Sequence, residues 1–528
     1  MNVIKNTLPD DPVKLKELLV QQGALLEEQN ALLTEKDKRI VLLEELVRLQ
    51  NQKRFGSSSE KSPDQQEMFN EAELTEAVEQ TLTEDAASPT PESEKTPEQK
   101  PGRKPLPPEL PRIRIEYDLA ESDKQCACGC QKELIGEDTS EQLDIIPATV
   151  QVIVNVRKKY ACPHCEGKVT IAELPRQPIP KSNASPATLA HIAISKFQDA
   201  LPLYRQEAIL HRSGIDIPRN TLANWMIKSG ELVQPLINLL EEHQLNYPVL
   251  HCDETRVQVL KEPGKDPTRQ SYMWVRVGGP PAQPVRLFTY SDTRSGEFAQ
   301  YLLGDFPERH RQCYLQTDDY AGYNRVCAQD NLTQLGCWAH ARRKFIDAQK
   351  ANNASKNKGS RKADMAVSLI QKLYALEKRI NSATPEEKYT ARQQYAKPEL
   401  DKLKCWLDKT LHNTLPKGLL GKALSYLEKN WEKLTVYTED GRLNIDNNPA
   451  ENAIRPFVVG RKNWLFSATV PGAKSSANLY SLIETAKANG LEAYSYLKLV
   501  FTELPKAQTV EQIESLLPWN VKVQDGVG

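Results

Sequence analysis

The chain has 528 residues, 39% of them hydrophobic and 26% charged, with a formal net charge of −1. That length calls for several domains, at least one of them large enough to bury a full core. The near-neutral total excludes a uniformly basic or acidic protein, and no apolar stretch approaches the roughly 18 residues that a membrane span needs. The polar N-terminal stretch, carrying Lys5, lacks the apolar run of a secretory leader. Charge is unevenly spread. Between Ser62 and Lys100 eleven acids face only Lys95 and Lys100, so the rest of the chain is net basic, which permits nucleic-acid binding. Five of ten cysteines crowd between Cys126 and Cys165 and the others are scattered. This is no disulfide framework; it fits a reducing cytosol and one metal-binding patch.

Residues 13–52 predict one long helix. Leu19, Leu26, Leu33, Ile40 and Val47 recur every seven residues, with Leu18, Leu25, Leu32 and Leu43 widening the stripe. This is a leucine-zipper-like coiled coil through which two copies would associate, made imperfect by Gln22, Gln29 and Lys36 on the seam. Residues 62–112 are acidic, Pro-rich and poor in large apolar side chains, the composition of a linker. Residues 113–172 predict a small β module, with a strand in the alternating Val150–Arg157. The module carries Cys126, Cys128 and Cys130, then the Cys162-Pro-His-Cys165 knuckle. Four of these five thiolates suit a tetrahedral Zn²⁺; the first half offers three for two places.

Residues 184–244 predict helices, the first opened by Ser185-Pro186. Within them Leu203–Arg212, the turn at Gly214 and a second helix opening at Pro218 make a helix-turn-helix pattern. Arg219, Asn220 and Asn224 are its candidate DNA contacts.

Residues 247–344 alternate strands and helices. Asp253 ends the apolar run from Tyr247, and Asp318 ends the run from Cys313, so both are expected at strand ends. Further strands are expected at Tyr272–Val277, Val285–Tyr290 and Gln334–Trp338. Glu451 opens a late helix. Two aspartates and a glutamate in this order suit a two-metal phosphodiester site, because oxygen donors hold Mg²⁺ or Mn²⁺. The 65 positions from Asp253 to Asp318 accommodate the strands that open a ribonuclease-H-like core. The 133 positions from Asp318 to Glu451 exceed what that core needs and predict a helical insertion at 345–440, the core resuming at 446–470 and a helical region closing the chain at 471–528. The fold class is therefore multidomain α/β. Arg455, four residues past Glu451, either pairs with it or meets a phosphate. Arg461 and Lys462 suit backbone phosphates, Trp464 suits a core, and His340 either touches the scissile phosphate or caps a helix.

Asp253-Glu-Thr, Thr317-Asp318-Asp-Tyr-Ala-Gly-Tyr, Cys337-Trp-Ala-His-Ala-Arg-Arg-Lys-Phe and Asn447-Asn-Pro-Ala-Glu451, with Gly460-Arg-Lys-Asn-Trp-Leu-Phe466, resemble the IS66-family transposases of bacterial insertion sequences. Arg54-Phe-Gly-Ser-Ser-Ser-Glu60 and Tyr480-Ser-Leu-Ile-Glu-Thr-Ala-Lys487 extend the likeness. The resemblance implies a DDE transposase acting in the bacterial cytoplasm, at the nucleoid, with Asp253, Asp318 and Glu451 as metal ligands. Its partners would be terminal inverted repeats, target DNA and small companion proteins of the same element. The family usually has Gly after its second aspartate, where this chain has Asp319. A reading from another class is a zinc-containing DNA-binding regulator that does not cut; a ribonuclease acting on RNA–DNA hybrids is a third.

Overall fold

The computed structural model describes residues 150–160, 170–171, 175–353 and 361–521, with nine helical positions between Lys16 and Lys36. The five candidate zinc cysteines, the acidic linker and most of the 13–52 zipper lie outside the described residues. The chain divides into two units, Ala87–Glu173 and the remainder.

In the Ala87–Glu173 unit, β1 (Lys159–Tyr160) pairs antiparallel with β2 (Thr170–Ile171), Tyr160 opposite Thr170. The strand expected at Val150–Arg157 does not form. This stretch is exposed, Val152 by 89%, and belongs to no strand. Alternation gives a strand its pattern, but cross-strand partners give it stability.

In the larger unit, Ser185 caps α1 (Pro186–Phe197), its Oγ accepting from Thr188 N at 3.2 Å. Two further helices follow, α2 (Leu203–Arg212) and α3 (Arg219–Leu232), joined by a turn in which Gly214 takes φ +78°, a conformation that favours glycine. After them comes α4 (Gln234–Leu245). Their apolar faces, with Leu189, Phe197, Leu222 and Trp225, enter the main core.

The central sheet runs β5-β4-β3-β6-β7. Strands β3 (Val249–Lys261), β4 (Gln270–Gly278) and β5 (Val285–Ser291) are an antiparallel meander. The chain then crosses through α5 (Gly296–Leu303) to β6 (Cys313–Gln316), parallel to β3, and on to β7 (Leu332–Leu335), parallel to β6. Side chains alternate between two faces. Val257, Val259, Met273 and Val275 join the main core, whereas Leu250, Cys252, Trp274 and Leu315 join a second cluster under α5. Two expectations need correction. Asp253 is not at a strand end, because β3 continues through Val257 and Val259, paired with β4, to Lys261. Trp338 belongs to no strand; β7 stops at Leu335, and Trp338 begins α6 (Trp338–Asn353), buried with its Nε1 donating to Leu434 O at 2.7 Å.

The helices between β7 and Glu451 pack Phe345, Ile370, Leu373, Leu403, Leu407, Leu424 and Leu427 into a cluster that also takes in Val249, Tyr314 and Leu335 of the sheet. The helices of the insertion are α7 (Arg361–Arg379), α8 (Pro385–Ala391), α9 (Lys397–Leu411), α10 (Leu419–Lys429) and α11 (Trp431–Thr435), with a π-helical turn at Arg392–Ala396. From that turn the buried Arg392 makes two hydrogen bonds to Glu377 (2.9 and 2.7 Å) and donates to the carbonyls of Tyr437, Asp440 and Leu443. The chain then returns to the sheet through α12 (Asn448–Trp464) and β8 (Ser467–Thr469), which pairs parallel with β3 at Val259 and Lys261. Helices α13 (Val470–Ala488), α14 (Ala493–Glu503) and α15 (Val510–Glu514) close the unit.

Candidate active site

Strand β3 has different parallel partners at its two ends. Strand β6 pairs with it only over Val249–His251, and β8 only at Val259 and Lys261. Asp253 falls in the gap between them, paired on its other side to Val275 of β4. Its side chain is half-buried. Its neighbour Glu254 points to the opposite face. There it is buried, ion-paired to Arg294 Nη2 at 2.5 Å, and accepts from Tyr323 Oη at 2.7 Å.

Asp318 lies two residues past the end of β6, its Oδ1 accepting from Tyr320 N at 3.1 Å. Arg294 Nη2 reaches its Oδ2 at 3.9 Å while the guanidinium stacks on the Tyr320 ring at 3.7 Å. Asp319, the departure from the family pattern, turns toward the insertion. Its Oδ2 accepts from Lys429 Nζ at 2.9 Å and Asn430 Nδ2 at 3.4 Å.

Glu451 stands in the first turn of α12, where a carboxylate is favoured by the helix dipole. A buried network sets that helix against β3. His251 Nε2 accepts from Asn444 Nδ2 at 3.2 Å, so its Nδ1–H donates to Asn447 Oδ1 at 3.3 Å. Asn447 Nδ2 donates to Cys252 O at 2.9 Å, and Asn447 N to Cys337 Sγ at 3.3 Å. Burial lowers the His251 pKa to about 4, so the ring is neutral and the pattern self-consistent.

Asp253 feels the other acids. Burial, then the charges of Glu254, Asp318 and Glu451, push the Asp253 carboxyl well above the usual carboxylate range. Burial and Asp318 also raise Glu254, opposed by Arg294 and Tyr323. A buried Asp253 carboxyl that resists ionisation beside other acids is one that a divalent cation would relieve, and oxygen donors of this kind fit Mg²⁺ or Mn²⁺. Among the described residues, a tighter donor group is Cys337, His340 and Glu451, whose ligand atoms all lie within 4.8 Å of one another.

Of the candidate DNA contacts, Arg219, Asn220 and Asn224 are exposed on α3, and Glu207 accepts from Arg219 N at 2.9 Å. His340 Nδ1 lies 3.9 Å from Glu451 Oε1. Arg461 Nη1 donates to Thr255 Oγ1 at 3.1 Å, two residues along β3 from Asp253 and on the same face. Arg455 is half-buried one turn beyond Glu451, and Lys462 is exposed. Trp464 packs edge-on to Phe457 at 5.3 Å, as a core residue does. Sequence reasoning missed Arg294 and His251. Arg294 sits in the short loop between β5 and α5, outside any apolar run, and His251 reads as part of a strand.

Comparison with known proteins gives the family. Residues 181–475, more than half of the chain, match the transposase IS66 family. Residues 481–519 match the IS66 C-terminal element, 123–166 the zinc-finger binding domain of transposase IS66, and 42–115 a region described as transposase C of IS166 homeodomain. The chain belongs to the IS66 transposase family. Two uncharacterized proteins of Sinorhizobium fredii are similar. One, y4jD, is 34% identical over 438 residues, covering 80% of this chain and 82% of its own. The other, y4qI, is 31% identical over 428 residues, covering 79% and 77%. No helix among the described residues is long and apolar enough to cross a membrane.

Proposed function

We propose that this protein is a DDE transposase that binds the terminal inverted repeats of its element, frees a 3′-hydroxyl at each end, and joins it to target DNA. The observation that carries this reading is the shared field of Asp318 and Glu451 at Asp253, contributed by three separate elements. The order β5-β4-β3-β6-β7, antiparallel in its first three strands and parallel thereafter, supports a ribonuclease-H-like core over 247–344 and 446–470, interrupted by the 345–440 insertion.

When bound, a pair of Mg²⁺ or Mn²⁺ ions supplies Lewis-acid stabilisation of the phosphate and lowers the pKa of the attacking water or hydroxyl. The protein does the rest. Asp253, Asp318 and Glu451 would hold these ions through their carboxylate oxygens. Arg461, held by Thr255, and Lys462 neutralise phosphates flanking the scissile bond, and His340 orients the phosphate beside Glu451. Arg294 steadies the loop of Asp318. The zinc finger, held by Cys162 and Cys165 with two of Cys126, Cys128 and Cys130, and the α2–α3 pair with Arg219, Asn220 and Asn224, read the terminal repeats. The 13–52 zipper joins two subunits across two ends, so cutting waits for pairing.

Asp253→Asn should abolish Mg²⁺-dependent nicking of a terminal-repeat duplex while binding of that duplex persists. Retained nicking would refute the site. Binding without nicking by the unaltered protein, in Mg²⁺ and Mn²⁺ alike, would select the regulator instead.

A further inference from the structure

We infer that Cys337, His340 and Glu451 form a second metal site, which takes a thiophilic dication of the Zn²⁺ class and withdraws Glu451 from the other two carboxylates. Cys337 Sγ lies 3.8 Å and His340 Nδ1 3.9 Å from the same oxygen, Glu451 Oε1, and all three donor atoms fall within 4.8 Å of one another. Around a tetrahedral zinc with ordinary sulfur, nitrogen and oxygen bonds, donor atoms sit about 3.3–3.6 Å apart. The two measured separations exceed this by roughly half an ångström or less, within reach of small side-chain rotations.

The fold places these donors by two helix starts. Cys337 immediately precedes α6 and His340 lies in its first turn, so the three-residue spacing puts both on one side; Glu451 comes from the first turn of α12. Asn447 N–H, donating to Sγ at 3.3 Å, fixes the thiol and would steady a thiolate. Cys337 is buried, while His340 and Glu451 side chains are 28% and 11% exposed, so the site is closed behind and open in front. On binding, the thiol gives its proton to solvent, and a water completes four-coordination. Mg²⁺ prefers oxygen donors and near-octahedral geometry, so sulfur and imidazole select a different ion from the one the three carboxylates hold. Glu451 serves one site or the other. That zinc thereby stops strand cleavage rests on the function proposed above; the existence of the site does not.

The test uses the full-length protein with its finger loaded with Zn²⁺, dialysed against Co²⁺. The unaltered protein should gain a near-ultraviolet thiolate-to-cobalt band that saturates at one Co²⁺ per chain, and Asp253→Asn should do the same. Cys337→Ser should lose the band. His340→Ala, altered at a partly exposed position that the core does not need, should weaken Co²⁺ binding at least about tenfold. No such band, a band that survives in Cys337→Ser, or unchanged affinity in His340→Ala overturns the site. If the protein nicks no DNA in any ion, the cobalt band still decides the site on its own. If it nicks in Mg²⁺, Zn²⁺ at the concentration that saturates this site should abolish nicking, and undiminished nicking at saturation overturns the inhibitory role.

Discussion

The two faces of β3 treat neighbouring carboxylates in opposite ways. Glu254 meets a cation, Arg294, and a phenol, Tyr323; Asp253, one residue earlier, meets the fields of other acids. The pair after β6 divides similarly, with Asp319 engaged by Lys429 and Asp318 left 32% exposed beside Arg294. A carboxylate matched by a basic side chain serves the fold. One surrounded by its own kind is costly until an external cation arrives, and is the better candidate for chemistry.

The largest effect expected from breaking this contrast is on Asp253. Asp253→Asn should lower Mg²⁺-dependent cleavage on the order of 10³-fold or more, the scale seen when a residue acting as part of a catalytic unit is removed. The same change should raise the melting temperature of the metal-free protein at neutral pH, since it deletes a carboxylate that burial and like charges oppose. A lower melting temperature would place Asp253 with the structural acids. Next in size, Arg294→Met leaves Glu254 buried without its cation. Stability should fall by roughly 2–3 kcal/mol, after discounting for the solvent screening of a guanidinium that is 35% exposed. Urea unfolding would read it, and an unchanged midpoint would remove Arg294 from the account.

Acid tests the network behind the site. His251 has a pKa of about 4 when folded and an ordinary value near 6.5 when unfolded. The unfolded chain therefore takes up the proton first. The contribution is fully present above about pH 6.5 and is lost as pH falls toward 4, to a total of about 3 kcal/mol. Asp253 acts in the opposite sense, because its raised pKa favours the folded state as pH falls through it. Melting temperatures from pH 7.5 to 4.5 should consequently fall more steeply in Asp253→Asn than in the unaltered protein; parallel curves would show that the two groups do not offset each other. The smallest effect belongs to Asp319→Gly, which installs the family's usual residue. The Lys429 side chain is 69% exposed, so the loss should be about 1 kcal/mol or less, with cleavage nearly unchanged. A large loss of cleavage would draw Asp319 into the site.

Local pattern carried some of this architecture and not the rest. The Ser185-Pro186 start, the α2-turn-α3 arrangement and the helix opening around Glu451 are written in caps, turns and periodicity, which act over a few residues. The position of Asp253 is not. Its apolar run seemed to end there, yet Val257 and Val259 continue the strand, and the gap in parallel pairing at Asp253 exists because β6 stops pairing after His251. That is a tertiary fact. Val150–Arg157 fails in the other direction, having the alternation of a strand without a ladder among the described residues. Arg294 had no local signal, because what distinguishes it is the two acids it reaches across the sheet.

Arg392 ties the insertion to the segment Tyr437–Leu443 that leads back to the sheet, and so to the start of the helix bearing Glu451. A ribosome therefore delivers the acids in two instalments. Asp253 and Asp318 emerge first, and the third must wait for more than a hundred residues to be made and for a helical body to form before its anchor exists. A nascent or truncated chain carries an incomplete set, so under the function proposed above an unfinished protein lacks the third metal ligand.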